Sequence, residues 1–415
     1  MMRPATVDLP ATTMARGPIH YLFCVVLAVQ TLYVFGFNSL PDLVRNGLSG
    51  LLFCIHLTLA VLTLLARPRS WNLLLLLAVL LTIVTWIPAH IFHLGEVDAV
   101  RPAEFLRNIA WPLMLIWILS YPMALPRGFF CWYALIFTLL GAVVAFTGPA
   151  VYVSGTPRLG SITAGLDNMH ASAKLMALQV ILIDQLRRAR LLDPKIAWGL
   201  VAVAAAVLLG YGGRNEQLFV LIYFGALYLL PRQHDLLLRF GPFVALGFIV
   251  IAGAVILQIV DDPGDLGSGR IGVWSYRLGL LAERNPVTFL FGGGVGSDVI
   301  WTPQWRYMED GSTAHNDYLH AMMESGLVGV VVMFVILYAL WLRLTIDGRA
   351  IVVAIAVNSF FSNGFFNTPL LALNLSFVMA VSLMGGLLRA AEPPPEPSAR
   401  YPTILPGGGS PRRQP

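Results

Sequence analysis

The chain has 415 residues, of which 57% are hydrophobic and only 12% are charged. A soluble domain is roughly 45–50% apolar and about 25% charged, so this composition excludes an ordinary soluble protein and indicates a membrane protein. The formal net charge of +5 does not by itself indicate a nucleic-acid partner, because basic residues in loops also set the orientation of membrane helices.

Twelve stretches are long or apolar enough to cross a membrane, for which about 20 residues are needed. They lie near residues 19–37, 47–66, 71–92, 105–125, 129–153, 168–186, 196–213, 215–231, 239–260, 318–342, 350–366 and 370–388. The eighth and eleventh stretches are marginally short. The sequence therefore predicts an all-α polytopic membrane protein with about 12 transmembrane helices in a lipid bilayer.

The basic residues predict the orientation of these helices. If the N-terminus is cytoplasmic, 17 of the 27 Lys and Arg residues fall on the inner side and 10 on the outer side. The densest basic cluster, DQLRRARLLDPK at residues 184–195, is then cytoplasmic. Both chain ends are accordingly predicted to be cytoplasmic. The basic excess is explained by topology, and we expect no nucleic-acid partner.

The chain divides into one integral membrane domain and two tails. Residues 1–18 are predicted to be a cytoplasmic N-terminal tail, and residues 19–390 form the integral domain. Residues 391–415 are rich in Pro, Gly and Arg, which is typical of a disordered segment, here on the cytoplasmic side. No internal repeat is evident in the sequence.

The longest connection runs from about residue 261 to residue 317 and faces outward, and so long a connection is usually functional or disordered. Within it, the segment SGRIGVWSYRLGLLAERNP has apolar residues at helical spacing, with Ser268 as a candidate cap and Pro286 as a stop. These apolar residues are Ile271, Trp274, Leu278 and Leu281. The pattern predicts a short amphipathic helix on the membrane surface.

Several outer basic residues lie too close to the membrane to be ordinary loop charges. Arg107 and Lys174 lie near the outer ends of their spans, and Arg214 lies at the junction of two spans. Charges at such depth are costly and tend to mark a functional cavity. Each alone could extend to lipid headgroups, but the set predicts a cationic vestibule that binds a diphosphate through guanidinium forks. The set comprises Arg107, Arg158, Lys174, Arg214, Arg270 and Arg277.

Polar residues are concentrated in GSTAHNDYLHAMMESGLVG, residues 311–329, just before an apolar helix. An imidazole titrates near neutrality, so His315 is a candidate general base, although a structural residue at a helix start is the alternative. Asn316 fits a helix cap. His315 and His320 are five residues apart and do not share a helical face, which argues against a two-histidine metal site.

The same stretch resembles a known signature. His315 and Asn316, then nine residues, Gly326, two residues and Gly329 resemble the pattern H-[NSQ]-x9-G-x-x-[GTY] of bacterial O-antigen ligases, which belong to the O-antigen ligase and polymerase superfamily. The segments YGGRNEQ and SGRIGVW are similar to the arginine-bearing segments of that family, here with Arg214 and Arg270. The segment RLGSITAGLDNMHAS is similar to a family loop, although Ser161 and Asp167 depart from its usual residues.

The resemblance covers most of the chain in topology but only about residues 155–330 in sequence. It implies a C-type membrane glycosyltransferase architecture in the bacterial inner membrane, with a periplasmic loop that contains short helices. It also implies transfer of a glycan from undecaprenyl diphosphate to lipid A–core oligosaccharide at the periplasmic face, with inversion and without a metal or cofactor.

In this interpretation His315 deprotonates the acceptor hydroxyl, while Arg214 and Arg270 stabilise the leaving diphosphate. A second set is expected to bind the diphosphate or the glycan, and it comprises Arg158, Lys174, Arg107, Arg277, Asn316 and Trp274.

Three alternatives stay open at this point. A polysaccharide (O-antigen) polymerase and a protein O-oligosaccharyltransferase share the motif, and the short segment after the last span favours the ligase over the protein-modifying enzyme. A transporter of lipid-linked glycans would also explain charges near the membrane. The absence of an inverted repeat and the presence of a structured outer loop argue against a transporter.

Overall fold

The structure, a computed structural model, describes residues 18–36, 40–91, 102–153, 156–160, 169–232, 270–294, 296–302, 312–361 and 369–391. These residues are almost entirely helical, apart from a two-stranded antiparallel hairpin in which Val151 pairs with Arg158. The predicted ninth span, both tails and Ser268 lie outside the described residues.

The helices follow one another through short connections. They are α1 (Pro18–Gly36), α2 (Asp42–Ala66), α3 (Ser70–Ile91), α4 (Pro102–Ser120), α5 (Arg127–Thr147), α6 (Met169–Arg188), α7 (Pro194–Tyr211) and α8 (Arg214–Leu229), followed by α9 (Arg270–Ala282), α10 (Pro286–Phe291), α11 (Asp317–Arg343), α12 (Ile346–Phe361) and α13 (Pro369–Ala390). The strands β1 (Val151–Val153) and β2 (Thr156–Arg158) lie between α5 and α6, and 3-10 turns form at Pro122–Ala124 and Leu230–Arg232.

The protein is a helical membrane protein by the length and composition of its helices. Five described helical segments are long and apolar enough to cross a membrane: Leu43–Ala66, Arg127–Thr147, Pro194–Tyr211, Asp317–Arg343 and Leu371–Ala390. Each of the other predicted spans except the ninth overlaps a helix that is shorter or more polar. The number of twelve spans stays a prediction.

Helix α6 lies at the centre of the bundle, where α7, α8 and α13 pack against it. Residues 171–186 of α6 and residues 371–385 of α13 are buried throughout. Protein rather than lipid surrounds α6, so its polar side chains find partners in neighbouring helices. Gln179 donates to Asn374 Oδ1 at 2.9 Å, and Gln185 donates to the Tyr223 hydroxyl at 2.7 Å.

The predicted amphipathic helix of the outer loop is α9. Its buried face includes Trp274, Arg277 and Leu281, so this face packs against protein. Pro286 does not stop α9, which ends at Ala282. Pro286 instead opens α10, for which Asn285 is the cap, because proline fits the first helical position, where no N–H bond is required.

Helix α11 is broken at Gly326, which has φ 64° and ψ −162°. The break leaves carbonyls without helical partners, and the glycine-rich loop after α10 supplies replacements. Gly293 N donates to Met323 O and Gly294 N donates to Glu324 O, both at 2.9 Å, and Arg284 Nη1 also donates to Met323 O at 2.9 Å. The segment therefore completes a broken helix, a function that the predicted flexible turn did not include.

Gly326→Ala should destabilise the protein strongly. A methyl group there would lie 2.4 Å from the backbone carbon of Leu290, and the left-handed backbone alone costs a non-glycine residue about 1–2 kcal/mol. Gly279→Ala in α9 is the control, because its methyl group meets nothing within 4 Å. Thermal unfolding in detergent should show a lowered midpoint for Gly326→Ala only, and equal midpoints would contradict this account of the break.

Candidate active site

The backbone of His315 is held in an uncommon conformation. Its φ of 50° lies in the left-handed region, which costs a non-glycine residue energy and persists only where the surroundings fix it. On one side, Ala314 N donates to Asp298 Oδ2 at 2.8 Å and Ala314 O accepts from Trp274 Nε1 at 2.7 Å. On the other side, Asn316 caps α11 by accepting from Leu319 N at 3.0 Å, which confirms its predicted role as a cap.

The imidazole of His315 lies beside other basic groups. Its ring centroid is 6.4 Å from that of His170 on α6, with the rings edge to face. Burial, and then the positive charges of Arg270, His170 and Lys174, lower the pKa of His315 to about 3, against a smaller opposing effect of Asp298. His315 is therefore neutral at neutral pH, which is the state that a general base requires.

Two of the predicted cations, Arg270 and Lys174, lie within electrostatic range of His315 and of each other. Arg270 Nη1 donates to Phe361 O at 2.8 Å, the same carbonyl that Asn215 Nδ2 reaches at 3.0 Å. The end of α12 thus ties the beginning of α9 to the beginning of α8. Lys174 is buried on α6, with Asp317 and Glu216 in electrostatic range.

Arg214 opens α8, and its side chain is exposed. The neighbouring Asn215 is joined to α12 twice, because Asn358 Nδ2 also donates to Asn215 O at 2.7 Å. Arg214 therefore lies at the end of the bundle that carries Arg270. The backbones of Arg107 and Arg158 belong to α4 and β2, but their side chains lie outside the described part of the structure.

A buried carboxylate, Glu216, was not predicted. It is 1% exposed, and its Oε1 lies 3.7 Å from His170 Nδ1. The side chain lies against Gly213, where a methyl group would be only 2.3 Å from Glu216 Oε2. His170 and Lys174 are four residues apart on α6 and so share a helical face. That spacing was the signal available in the sequence, but nothing local connects it to Glu216.

Arg277 lies in the support of the site, which corrects the prediction that it binds substrate. Its side chain is 0% exposed, and Nε donates to Asp298 Oδ1 at 2.7 Å. Nη2 donates to Asp298 O at 2.9 Å and also to Ser312 O. The face of α9 that carries Arg277 is covered by the loop before α11, so the guanidinium serves that loop.

Asp298 also binds α11. His320 Nδ1 lies 2.9 Å from Asp298 Oδ2, and His320 Nε2 lies 3.2 Å from Glu324 Oε2. Burial opposes ionisation of Asp298, but the hydrogen bond from His320 and the charges of His320 and Arg277 outweigh it and hold the pKa of Asp298 below its ordinary value. Glu324, a candidate for orienting His315, pairs with His320 instead.

An apolar cavity of about 520 Å³ lies beside His315. Its walls include Trp274, Leu278, Phe289, Met322 and Phe360, with Asn316 as a polar group at the wall. Trp274 and Asn316 were both predicted to bind substrate, and both face this cavity. A largely apolar cavity with few polar groups is the usual form of a small-molecule or lipid site.

Within the described residues, no group of three or more His, Cys, Asp or Glu side chains is arranged to hold a metal ion. No protein-family model matches the sequence, and no curated protein matches it. The chemistry of the site is therefore argued from its own residues.

Asp298→Asn should be strongly destabilising. Removing one partner of a buried ion pair leaves an uncompensated charge, here on Arg277, and typically costs about 3–5 kcal/mol. Glu283→Gln, at an exposed position just after α9, is the matched control and should leave stability unchanged. Thermal or denaturant unfolding compares the two variants, and a wild-type midpoint for Asp298→Asn would show that Arg277 does not depend on this carboxylate.

The lowered pKa of His315 predicts a pH-dependent stability difference. Because the folded pKa, about 3, lies below the unfolded value of about 6.5, the unfolded chain takes up the proton first as the pH falls. The wild type should therefore lose stability between pH 6.5 and 3 relative to His315→Asn, at about 1.4 kcal/mol per pH unit.

Asparagine suits the comparison because it tolerates the left-handed backbone and does not titrate. Unfolding midpoints of the two proteins in detergent should differ more at pH 5 than at pH 7.5. A difference that is the same at both pH values would mean that the folded protein does not depress the pKa of His315.

Proposed function

We propose that this chain is an O-antigen ligase that transfers a glycan from undecaprenyl diphosphate to lipid A–core oligosaccharide. The observation that carries the proposal is a neutral His315 beside the cationic side chains of Arg270 and Lys174, next to an apolar cavity in a helical membrane protein. A base, an anion site and an apolar volume are what a hydroxyl acceptor and a polyprenyl diphosphate donor require.

The reaction is a single displacement. His315 takes the proton of the acceptor hydroxyl as its oxygen attacks the anomeric carbon from the face opposite the diphosphate. The bond between that carbon and the diphosphate oxygen breaks, the configuration inverts, and undecaprenyl diphosphate leaves. Arg214, Arg270 and Lys174 stabilise the charge on the departing group, because guanidinium and ammonium groups are strong partners of phosphate oxygens.

The low pKa of His315 in the empty site fits this order of events. A group with a pKa of about 3 is a weak base, and a bound diphosphate would offset the charges of Arg270 and Lys174 that depress it. Donor binding would then raise the pKa of His315 toward the working pH, where general bases are most effective. The 17-to-10 split of basic residues supports a periplasmic site in the bacterial inner membrane.

The test is transfer by the purified chain from an undecaprenyl diphosphate-linked glycan to lipid A–core, followed by gel mobility in excess chelator. His315→Asn should fold and lose about 10²–10⁴-fold in rate. Arg270→Ala should also lose transfer, and Arg270→Lys should restore part of it, because lysine keeps the charge without the planar fork. Arg127→Ala, at an exposed position that opens α5, should transfer at the wild-type rate.

Other outcomes separate the alternatives. Extension of the glycan on its own lipid carrier would indicate a polymerase, and transfer to a protein would indicate an oligosaccharyltransferase. Movement of the lipid-linked glycan across a vesicle membrane without transfer would indicate a transporter. Wild-type transfer by folded His315→Asn protein would remove His315 from the catalytic site.

A further inference from the structure

Three arginines meet at the end of the bundle opposite the candidate active site. Arg67 and Arg69 lie in the connection between α2 and α3, and Arg343 is the last residue of α11. Both Arg67 and Arg69 act electrostatically on Arg343, so the three guanidinium groups are neighbours. We refer to these three residues as the arginine cluster.

The arginine cluster has no acidic partner among the residues that the structure describes. Its neighbours at the same end of the bundle do: Arg187 and Arg188 pair with Asp184 at 2.6 and 2.7 Å, and Arg389 pairs with Asp347 at 2.6 Å. Three cations in mutual range repel one another, and here no described carboxylate offsets the repulsion. An anion supplied from outside would offset it.

The arginines are held in place by the end of α4. Arg343 Nε and Nη2 donate to Leu119 O at 3.0 and 2.7 Å, and Arg67 Nη1 donates to Ser120 O at 3.1 Å. The Arg343 guanidinium stacks on Trp71, 5.3 Å from the ring centroid, and that of Arg67 stacks on Tyr121 at 4.6 Å. Capping the end of α4 explains these bonds, but it leaves most donors of Arg67 unused.

Arg69 has no such structural use. Its side chain is exposed and makes no hydrogen bond or ion pair within the described residues. Arg67 is exposed as well. A guanidinium carries five N–H donors in a rigid fork that fits phosphate oxygens. Two exposed forks beside a third that is already fixed therefore form a preorganised anion site.

The surroundings of the arginine cluster favour a lipid over a soluble anion. The exposed side chains just before it on α2 are apolar: Leu62 is 58% exposed and Leu65 is 77% exposed. Leu342, next to Arg343, is 43% exposed. An anion bound here would have acyl-chain contacts directly beside it, which a phospholipid offers and a free phosphate does not. The charge split also places this end on the cytoplasmic side, where anionic lipids attract basic residues.

We propose that the arginine cluster binds the phosphate of an anionic phospholipid, of the phosphatidylglycerol class, in the cytoplasmic leaflet. This site is independent of the proposed glycan transfer, because it lies at the other end of the bundle and uses none of the same residues.

The experiment measures the thermal unfolding midpoint of the purified full-length chain in neutral detergent while a short-chain lipid is added. Dioctanoyl phosphatidylglycerol should raise the midpoint in a saturable way, whereas dioctanoyl phosphatidylcholine and inorganic phosphate at equal concentrations should not. Arg69→Gln should weaken the apparent affinity about fivefold, since a basic residue near a lipid surface contributes about that factor.

The controls keep the result interpretable. Arg343 is left in place because it caps α4, and Arg69 is chosen because its side chain has no structural partner among the described residues. Arg127→Gln removes another exposed arginine on the same predicted side and should leave the lipid affinity unchanged. The proposal is overturned if phosphatidylcholine or free phosphate protects equally, if Arg69→Gln binds as the wild type does, or if Arg127→Gln weakens binding to the same extent.

Discussion

The carboxylate of Asp298 joins the parts of the outer loop on which the candidate active site depends. It accepts from Arg277 on α9, from the backbone of Ala314 and from His320 on α11. A carboxylate buried this deeply is stable only because it is both paired and hydrogen-bonded. With it in place, the residue after Ala314 can be held in a left-handed conformation that an isolated chain would leave. The position of His315 is thus a consequence of an ion pair that does not include it.

The same region contains the break in α11, and the two features support each other. A continuous helix would leave Met323 and Glu324 with ordinary intrahelical bonds. The break at Gly326 instead exposes their carbonyls to the glycine-rich loop and Arg284. Glu324 then holds that loop through Gly296 N at 2.7 Å while it pairs with His320. Non-helical backbone at membrane depth is tolerated where protein satisfies its polar groups, and such breaks often adjoin binding sites.

Charge is divided between the two ends of one bundle, and each end treats it differently. At the outer end, Lys174 and Arg270 lie beside carboxylates and a neutral histidine, so a buried site keeps an excess of positive charge close to a possible base. At the inner end, Asp184 and Asp347 neutralise some arginines, and the arginine cluster keeps its charge. Helix α6 connects the two ends with Lys174 near one terminus and Asp184 near the other. It can carry both because other helices shield it from lipid.

The sequence by itself determined the features that depend on composition and on residues close together in the chain. A 57% hydrophobic content requires helices that satisfy their own backbone bonds in a membrane. The spacing of apolar residues in 270–282 is enough for an amphipathic helix, and Asn316 at the start of an apolar run is enough for a cap. His315 was identified from a motif, and the cationic environment from the positions of Lys174 and Arg270 relative to their spans.

Only the tertiary structure decided how these pieces meet. Arg277 and Asp298 are 21 residues apart, and Glu216 is 46 residues from His170, so no helical periodicity links either pair. Periodicity placed Arg270 and Arg277 on one face of α9, but it does not distinguish a face that binds substrate from a face covered by a loop. The conformation of His315 and the break at Gly326 also depend on distant backbone groups. Local patterns report what a segment can form alone, whereas buried polar groups take partners from wherever the packed chain brings them.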